Sequence, residues 1–180
     1  MSAPKYLLVI GSAKSGTSSL FRYLADHPDV AGSSLKETYF FAPDFAANPK
    51  HTINDPISAF ESYFDHATGD QLRVEATPFT MYGDRAAERI GANLEDVRVL
   101  CLAREPVSRF ISDYRFLKQR DSLGEEVPSP DEFAERQLAE PNARKNTLSI
   151  GRYADVLPSF VDALGADRVD VAFFLSLIHI

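Results

Sequence analysis

A short loop of small and cationic residues, GSAKSGTS at positions 11–18, follows an apolar run at 6–10 and precedes a predicted helix. In this position the loop amides and the positive end of the helix dipole point at the same crevice. Lys14 adds a full charge, and the hydroxyls of Thr17 and Ser18 add hydrogen-bond donors. The pattern predicts a phosphate-binding loop, with the ligand contacts at Ser12, Ala13, Lys14, Ser15, Gly16, Thr17 and Ser18.

The position of the lysine in this loop bears on the ligand. In nucleoside triphosphatases a Lys directly follows the second Gly, and the next Ser or Thr holds magnesium. Here Thr17 follows Gly16, and the lysine stands two residues before that glycine. The spacing favours a single 5′-phosphate over a triphosphate with its metal. Two other interpretations remain open: an ATP-dependent small-molecule kinase, and a Gly/Ser-rich turn that holds no ligand.

A second set of candidate phosphate ligands lies about ninety residues later. Arg104 comes directly after a predicted strand, and Ser112 follows eight residues on, in the second turn of a predicted helix. Ligands of open α/β sheets collect at the carboxyl ends of the strands, and a guanidinium with a hydroxyl suits a phosphate monoester. Arg109, one turn before Ser112, either assists in this binding or is an exposed surface side chain.

Both motifs resemble those of the PAPS-dependent sulfotransferases, particularly the heparan sulfate N- and O-sulfotransferases and their bacterial relatives. The loop is similar to the 5′-phosphosulfate loop of that family, and REPVSRFISDY at 104–114 is similar to its 3′-phosphate motif. The resemblance implies that PAPS is the donor and that Lys14 stabilises the bridging oxygen as the sulfuryl group leaves. It also implies that Arg104 and Ser112 hold the 3′-phosphate.

The resemblance further assigns a catalytic base. KETYFF at 36–41 is similar to the family segment in which a Glu precedes an aromatic pair, so Glu37 would take the proton from an acceptor hydroxyl or amine. A solvated surface ion pair is the alternative for Glu37. Thr77 and Tyr82 are candidates to line the acceptor cleft. Several heparan-type members carry a Lys where this chain has Ala76, which weakens the case for a heparan acceptor.

Composition limits the remaining function classes. A net charge of −7 argues against a general nucleic-acid binder, and 44% hydrophobic with 25% charged residues is usual for a globular protein. One cysteine and four scattered histidines predict neither a disulfide framework nor a metal site. The apolar run at 6–10 is too short for a signal peptide or a membrane span, so a cytoplasmic location is the default expectation.

Strands that alternate with helices predict an α/β fold with an open, mostly parallel, P-loop-type sheet flanked by helices. The predicted strands are 6–10, 30–31, 72–76, 97–103 and 169–174. The predicted helices are 17–26, 57–67, 84–90, 106–117 and 153–164, with Pro158 expected to kink or split the last one. Residues 38–41 fit a strand or a helical turn, whereas 42–56 and 121–130 are typical of surface loops.

The resemblance covers the chain from about Lys5 to Phe174, which predicts one partial sulfotransferase domain at 1–174. The last six residues, 175–180, fit neither the family pattern nor a polar chain end, and we expect a non-native tail on a truncated chain. An inactive nucleotide-binding fragment is therefore a further alternative. The acceptor stays open among glycans, lipids, glycopeptides and small alcohols or phenols, because acceptor clefts are built from variable loops.

Overall fold

The computed structural model describes residues 6–120, 122, 127–141 and 146–174. Across these residues the strands form one five-stranded sheet in the order β2-β3-β1-β4-β5, and every neighbouring pair in it is parallel. The strands are β1 (Tyr6–Gly11), β2 (Val30–Gly32), β3 (Leu72–Glu75), β4 (Val97–Ala103) and β5 (Val169–Phe173). The predicted parallel α/β architecture is confirmed.

Helices cover both faces of the sheet. The α-helices are α1 (Thr17–Ala25), α2 (Ile57–Glu61), α3 (Ala86–Asn93), α4 (Pro106–Gln119), α5 (Pro130–Ala139) and α6 (Tyr153–Leu164). Short 3₁₀ turns lie at Pro43–Phe45, Ser62–Phe64, Thr80–Tyr82, Ser149–Gly151 and Ala166–Arg168. Pro106 is the first residue of α4, where its missing N–H costs no helical hydrogen bond.

The continuous apolar run of β1 is explained by burial on both faces of the sheet. Leu8 and Ile10 belong to a large core cluster that contains α3, α6 and many aromatic rings. Val9 points to the opposite face, where a smaller cluster forms under α1. Because successive strand residues alternate between faces, a strand covered on both sides needs apolar residues throughout.

The sheet order brings distant segments of the chain to one edge. β1 lies between β3 and β4, with Leu8 opposite Glu75 and Gly11 opposite Cys101. The carboxyl ends of these parallel strands therefore lie side by side. The segments that leave them, after Gly11, Glu75 and Ala103, form the rim at which ligands of such sheets bind.

Helix α5 was missed in the sequence, where 121–130 was predicted as a loop and nothing regular was predicted after it. Ser129 and Glu132 form a reciprocal capping box: Glu132 N–H donates to the Ser129 hydroxyl, and Ser129 N–H donates to the Glu132 carboxylate. Phe133 then packs on Phe110 and Tyr114 of α4. Residues 121, 123–126 and 142–145 lie outside the described residues, as does the tail at 175–180.

Other boundaries also differ from prediction. Residues 38–41 form neither a strand nor a helix; Tyr39 has a left-handed φ angle of 55°, and Phe40 and Phe41 lie in a turn. Within 42–56 a 3₁₀ turn buries Ala42 and Phe45, so this segment is not wholly a surface loop. The helix predicted at 57–67 ends at Glu61 and continues as a 3₁₀ turn. Pro158 does not split α6, which runs as one helix through it.

Candidate donor and acceptor site

The loop after β1 has the backbone geometry of an anion site. Lys14 and Gly16 both adopt left-handed φ angles, 68° and 86°, and α1 begins directly afterwards at Thr17. Left-handed residues within a turn direct successive N–H groups into one concavity, and the helix N-terminus adds its own free N–H groups. A Cβ on Gly16 would lie 2.8 Å from the ring of Phe174, so this position needs glycine for space as well as for its φ angle.

The side chains of Ser12 and Ser15 lie behind the loop, while their contact with a ligand stays a prediction. Both are fully buried, and their hydroxyl oxygens lie 2.7 Å apart. Ser12 N–H donates to the Leu102 carbonyl of β4 at 2.9 Å. Their hydroxyls therefore stabilise the loop on the side away from the cavity described below, which neither residue lines.

Arg104 lies beside this loop although ninety residues separate it from Lys14. Its Nη1 donates to the Lys14 carbonyl at 2.9 Å, and its guanidinium lies 4.8 Å from the centre of the Phe174 ring. Ser112, two turns along α4, faces the same space. The structure thus brings Lys14, Arg104 and Ser112 together.

A cavity of about 500 Å³ opens between these segments. This volume lies within the range of about 300–1,000 Å³ found for small-molecule sites. Of the predicted residues, those that line it are Ala13, Lys14, Gly16, Thr17, Ser18, Glu37, Arg104 and Ser112. An adjoining cavity of about 440 Å³ along α4 shares Lys14, Arg104, Ser112 and Phe116 with the first.

The electrostatics of the cavity favour an anion. Burial lowers the pKa of the Lys14 ammonium, and the nearby Arg104 guanidinium lowers it further, whereas Asp113 acts in the opposite direction. The ammonium lies 3.8 Å above the ring centre of Phe116, which partly compensates its lost hydration. The ammonium of Lys14 and, separately, the Arg104 guanidinium with the Ser112 hydroxyl offer two anion contacts in one cavity, so the residues present fit a doubly phosphorylated ligand.

Glu37 also lines the cavity, and both of its carboxylate oxygens accept hydrogen bonds. Lys36 Nζ donates to one oxygen at 2.7 Å, and the Tyr39 hydroxyl donates to the other at 2.8 Å. Lys36 Nζ also donates to the Ala76 carbonyl at 3.2 Å. Burial and the neighbouring Glu37 raise the pKa of Tyr39, so its phenol stays protonated as a donor. The Lys36–Glu37 pair is therefore part of the cavity region rather than a freely solvated surface pair.

The buried carboxylate of Glu75 holds the segment that carries Glu37. It accepts hydrogen bonds from Thr38 N–H at 3.0 Å, Thr38 Oγ1 at 3.1 Å, Thr77 N–H at 3.1 Å and Thr77 Oγ1. Thr77 Oγ1 in turn accepts from Tyr39 N–H at 3.1 Å. Burial raises the pKa of Glu75, and hydrogen bonds from Thr77 and Thr38 oppose that rise. Sequence reasoning missed both Glu75 and Tyr39.

Three secondary expectations need correction. Arg109 is not an exposed side chain: it is fully buried, donates to the Thr147 carbonyl through Nη2, and lies 3.6 Å from Asp113. Neither Thr77 nor Tyr82 lines the cavity. Thr77 is committed to Glu75, and the Tyr82 hydroxyl donates to the Ile150 carbonyl.

Over the described part of the chain, no three His, Cys, Asp or Glu side chains come close enough together to hold a metal ion. In the same residues no helix has both the length and the apolar character that a bilayer crossing requires.

Comparison with solved structures supports the fold assignment. The crystal structure of a sulfotransferase from Alicyclobacillus acidocaldarius matches with a TM-score of 0.82 and 28% identity, covering 99% of this chain and 76% of that one. The sulfotransferase domain from the curacin biosynthetic pathway matches with a TM-score of 0.62 over 99% of this chain and 70% of that one. At 16% identity, the second match shows the shared fold alone.

The proteins with similar sequences include further sulfotransferases. The membrane-associated sulfotransferase kil1 of Dictyostelium discoideum is 34% identical over 112 residues, which is 61% of this chain and 22% of that protein. Heparan sulfate glucosamine 3-O-sulfotransferase 3B1 of Mus musculus is 28% identical over 149 residues, 82% of this chain and 35% of that protein. The chain thus spans about a third or less of the length of these relatives. No family model matches it. The sheet order, the solved structures and the relatives agree: in fold and in sequence the chain is similar to sulfotransferases.

Proposed function

We propose that this protein transfers a sulfuryl group from PAPS to a hydroxyl or amine of an acceptor. The observation that carries the proposal is the single cavity onto which Lys14, Arg104, Ser112 and Glu37 all open. It brings two groups suited to phosphate binding, from distant segments of the chain, into one cavity with the Glu37 carboxylate. A small-molecule kinase would need a lysine after Gly16, where this chain has Thr17.

The residues of the loop would hold the 5′ end of the donor. The amides around Lys14 and Gly16 and the start of α1 provide donors for the oxygens of a phosphosulfate. When bound, PAPS supplies the sulfuryl group and is left as 3′,5′-adenosine bisphosphate. The ammonium of Lys14 would stabilise the negative charge that develops on the bridging oxygen during transfer.

Arg104 and Ser112 would bind the 3′-phosphate. The guanidinium is oriented by its own hydrogen bond to the Lys14 carbonyl, so the two halves of the site are linked before any ligand arrives. The guanidinium supplies positive charge and paired N–H donors, and the hydroxyl supplies one more donor. Together they can bind a phosphate monoester and fix its orientation.

Glu37 would act as the general base toward the acceptor. Its carboxylate is held in place by Lys36 on one oxygen and Tyr39 on the other. The acceptor hydroxyl or amine would lose its proton to Glu37 as it attacks sulfur. Pro78 and Phe79 line the same side of the cavity and offer an apolar surface to the acceptor.

A glycan is the acceptor class that we propose first. The support is the similarity to heparan sulfate glucosamine 3-O-sulfotransferases, which cover 82% of this chain. Ala76 stands where several heparan-type enzymes carry a Lys, so the proposal names a glycan in general and not heparan. The cytoplasmic location expected from the sequence stays a prediction, as do the absence of a metal and of nucleic-acid binding.

Calorimetry tests the donor proposal without knowledge of the acceptor. The 180-residue chain is titrated with 3′,5′-adenosine bisphosphate and, separately, with ATP plus magnesium. We expect the bisphosphate to bind more tightly. Tighter binding of ATP would favour the kinase alternative and contradict the proposal. Bisphosphate binding without transfer from PAPS to glycans would contradict the glycan acceptor, and absence of transfer to lipids, glycopeptides and small alcohols or phenols as well would indicate an inactive nucleotide-binding protein.

A further inference from the structure

The phenol of Tyr153, on α6, lies where the two halves of the proposed donor site meet. Its hydroxyl donates to the Arg104 carbonyl at 3.0 Å and accepts from Arg104 N–H at 3.3 Å. The Ser12 hydroxyl lies 3.2 Å from the same oxygen. One phenolic oxygen therefore contacts both polar backbone groups of Arg104 and the first residue of the phosphate loop.

These contacts have a structural cause at the end of β4. The strand ends at Ala103, so the backbone groups of Arg104 have left the sheet ladder. Helix α4 begins only at Pro106, and its own hydrogen bonds start later still. Buried backbone groups need partners, and the Tyr153 hydroxyl supplies them at this junction. A tyrosine hydroxyl has one proton to donate and lone pairs to accept, which matches the observed contacts.

We infer that Tyr153 is a positioning residue of the donor site, which fixes the backbone of Arg104 against Ser12 and so aims the guanidinium at the 3′-phosphate. The inference rests on the proposed function. Tyr153 does not line the cavity itself, so it acts through Arg104 rather than on the ligand. With the backbone of Arg104 held, its side chain reaches the Lys14 carbonyl and stays beside the loop.

The variant Tyr153→Phe removes the hydroxyl and keeps the ring that packs on the core. We expect its affinity for 3′,5′-adenosine bisphosphate to fall about tenfold, the effect of one well-placed hydrogen bond on a charged contact. Its affinity for adenosine 5′-monophosphate should change much less, because that ligand does not use Arg104. The ratio of the two affinities is the readout, and a purely structural role would leave it unchanged.

Tyr114→Phe is the matched control. The Tyr114 hydroxyl also donates to a backbone carbonyl, that of Pro128 at 2.8 Å, but it lies on the face of α4 that packs against α5. This control should lose stability without changing the ratio. In an Arg104→Ala background, Tyr153→Phe should have no further effect on bisphosphate binding, since the two residues act as one unit.

Several results would overturn the inference. If the wild-type chain prefers the bisphosphate but Tyr153→Phe keeps the same ratio, Tyr153 does not position Arg104. If the wild-type chain does not distinguish the two ligands, the donor-site proposal itself fails, and the inference falls with it. Hydrogen exchange gives a measurement that needs no variant: the Arg104 amide should be protected in the wild-type protein, and unprotected exchange would contradict the contact with Tyr153.

Discussion

Replacing Glu75 by Gln tests how the segment that carries Glu37 is held. Each hydrogen-bond partner of the Glu75 carboxylate among the described residues is a donor, and the side chain is 2% exposed. The amide nitrogen of Gln would face either Thr38 N–H or Thr77 N–H and leave one buried donor unpaired. Such a loss costs about 1–3 kcal/mol, so we expect the free energy of unfolding to fall by that amount.

Urea unfolding measures this change, with the slope of the transition checked for constancy. Glu88→Gln is the control: Glu88 is an exposed partner of Arg85, and its replacement should alter the free energy of unfolding by no more than about 0.5 kcal/mol. Glu75→Gln should also reduce sulfuryl transfer while bisphosphate affinity is unchanged, because the phosphate loop is held separately. Equal stability of the two variants would refute this explanation of how Glu37 is positioned.

Three further results are expected. Glu37→Gln should lower transfer by about 10²–10⁴-fold with unaltered bisphosphate affinity in calorimetry, and normal turnover would remove Glu37 as the base. Gly16→Ala should destabilise the protein by about 1–2 kcal/mol in thermal unfolding, because its φ angle is left-handed and Phe174 is close; an unchanged Tm would contradict this. Burial lowers the pKa of Lys14, and only the protonated ammonium attracts the bisphosphate, so the affinity should fall as pH rises through that lowered pKa. Lys14→Arg keeps its charge at high pH and should abolish the fall; a fall that persists in this variant would indicate another group.

The parallel sheet was predictable because β1 is a continuous apolar run and β4 is apolar except at Arg98. β1 and β4 are buried on both faces, so their composition alone distinguishes them from amphipathic elements. Helix α5 could have been found from Ser129 and Glu132, whose spacing is that of a capping box. Pro128 and Pro130, which flank Ser129, favour a loop in the same stretch.

The other features that the sequence did not predict depend on contacts between residues that are distant along the chain. Arg109 looks like a surface residue locally, but it is fully buried and donates to the carbonyl of Thr147, which lies far along the chain. Residues 38–41 are shaped by Glu75 and Thr77, whose side chains replace the backbone hydrogen bonds of a strand or helix. Tyr153 likewise looks like an ordinary core residue of an amphipathic helix. Side-chain networks of this kind have no local sequence signal.

Crossed titration of two variants measures most directly whether one cavity holds both ends of the donor. Adenosine 5′-monophosphate and adenosine 3′-monophosphate are each titrated into Lys14→Ala and Arg104→Ala. Lys14→Ala should weaken binding of the 5′-phosphate by about 1–3 kcal/mol and spare the 3′-phosphate, and Arg104→Ala should do the reverse. If both variants keep wild-type affinities, or both bind the same monophosphate more weakly, Lys14 and Arg104 do not bind opposite ends of one nucleotide.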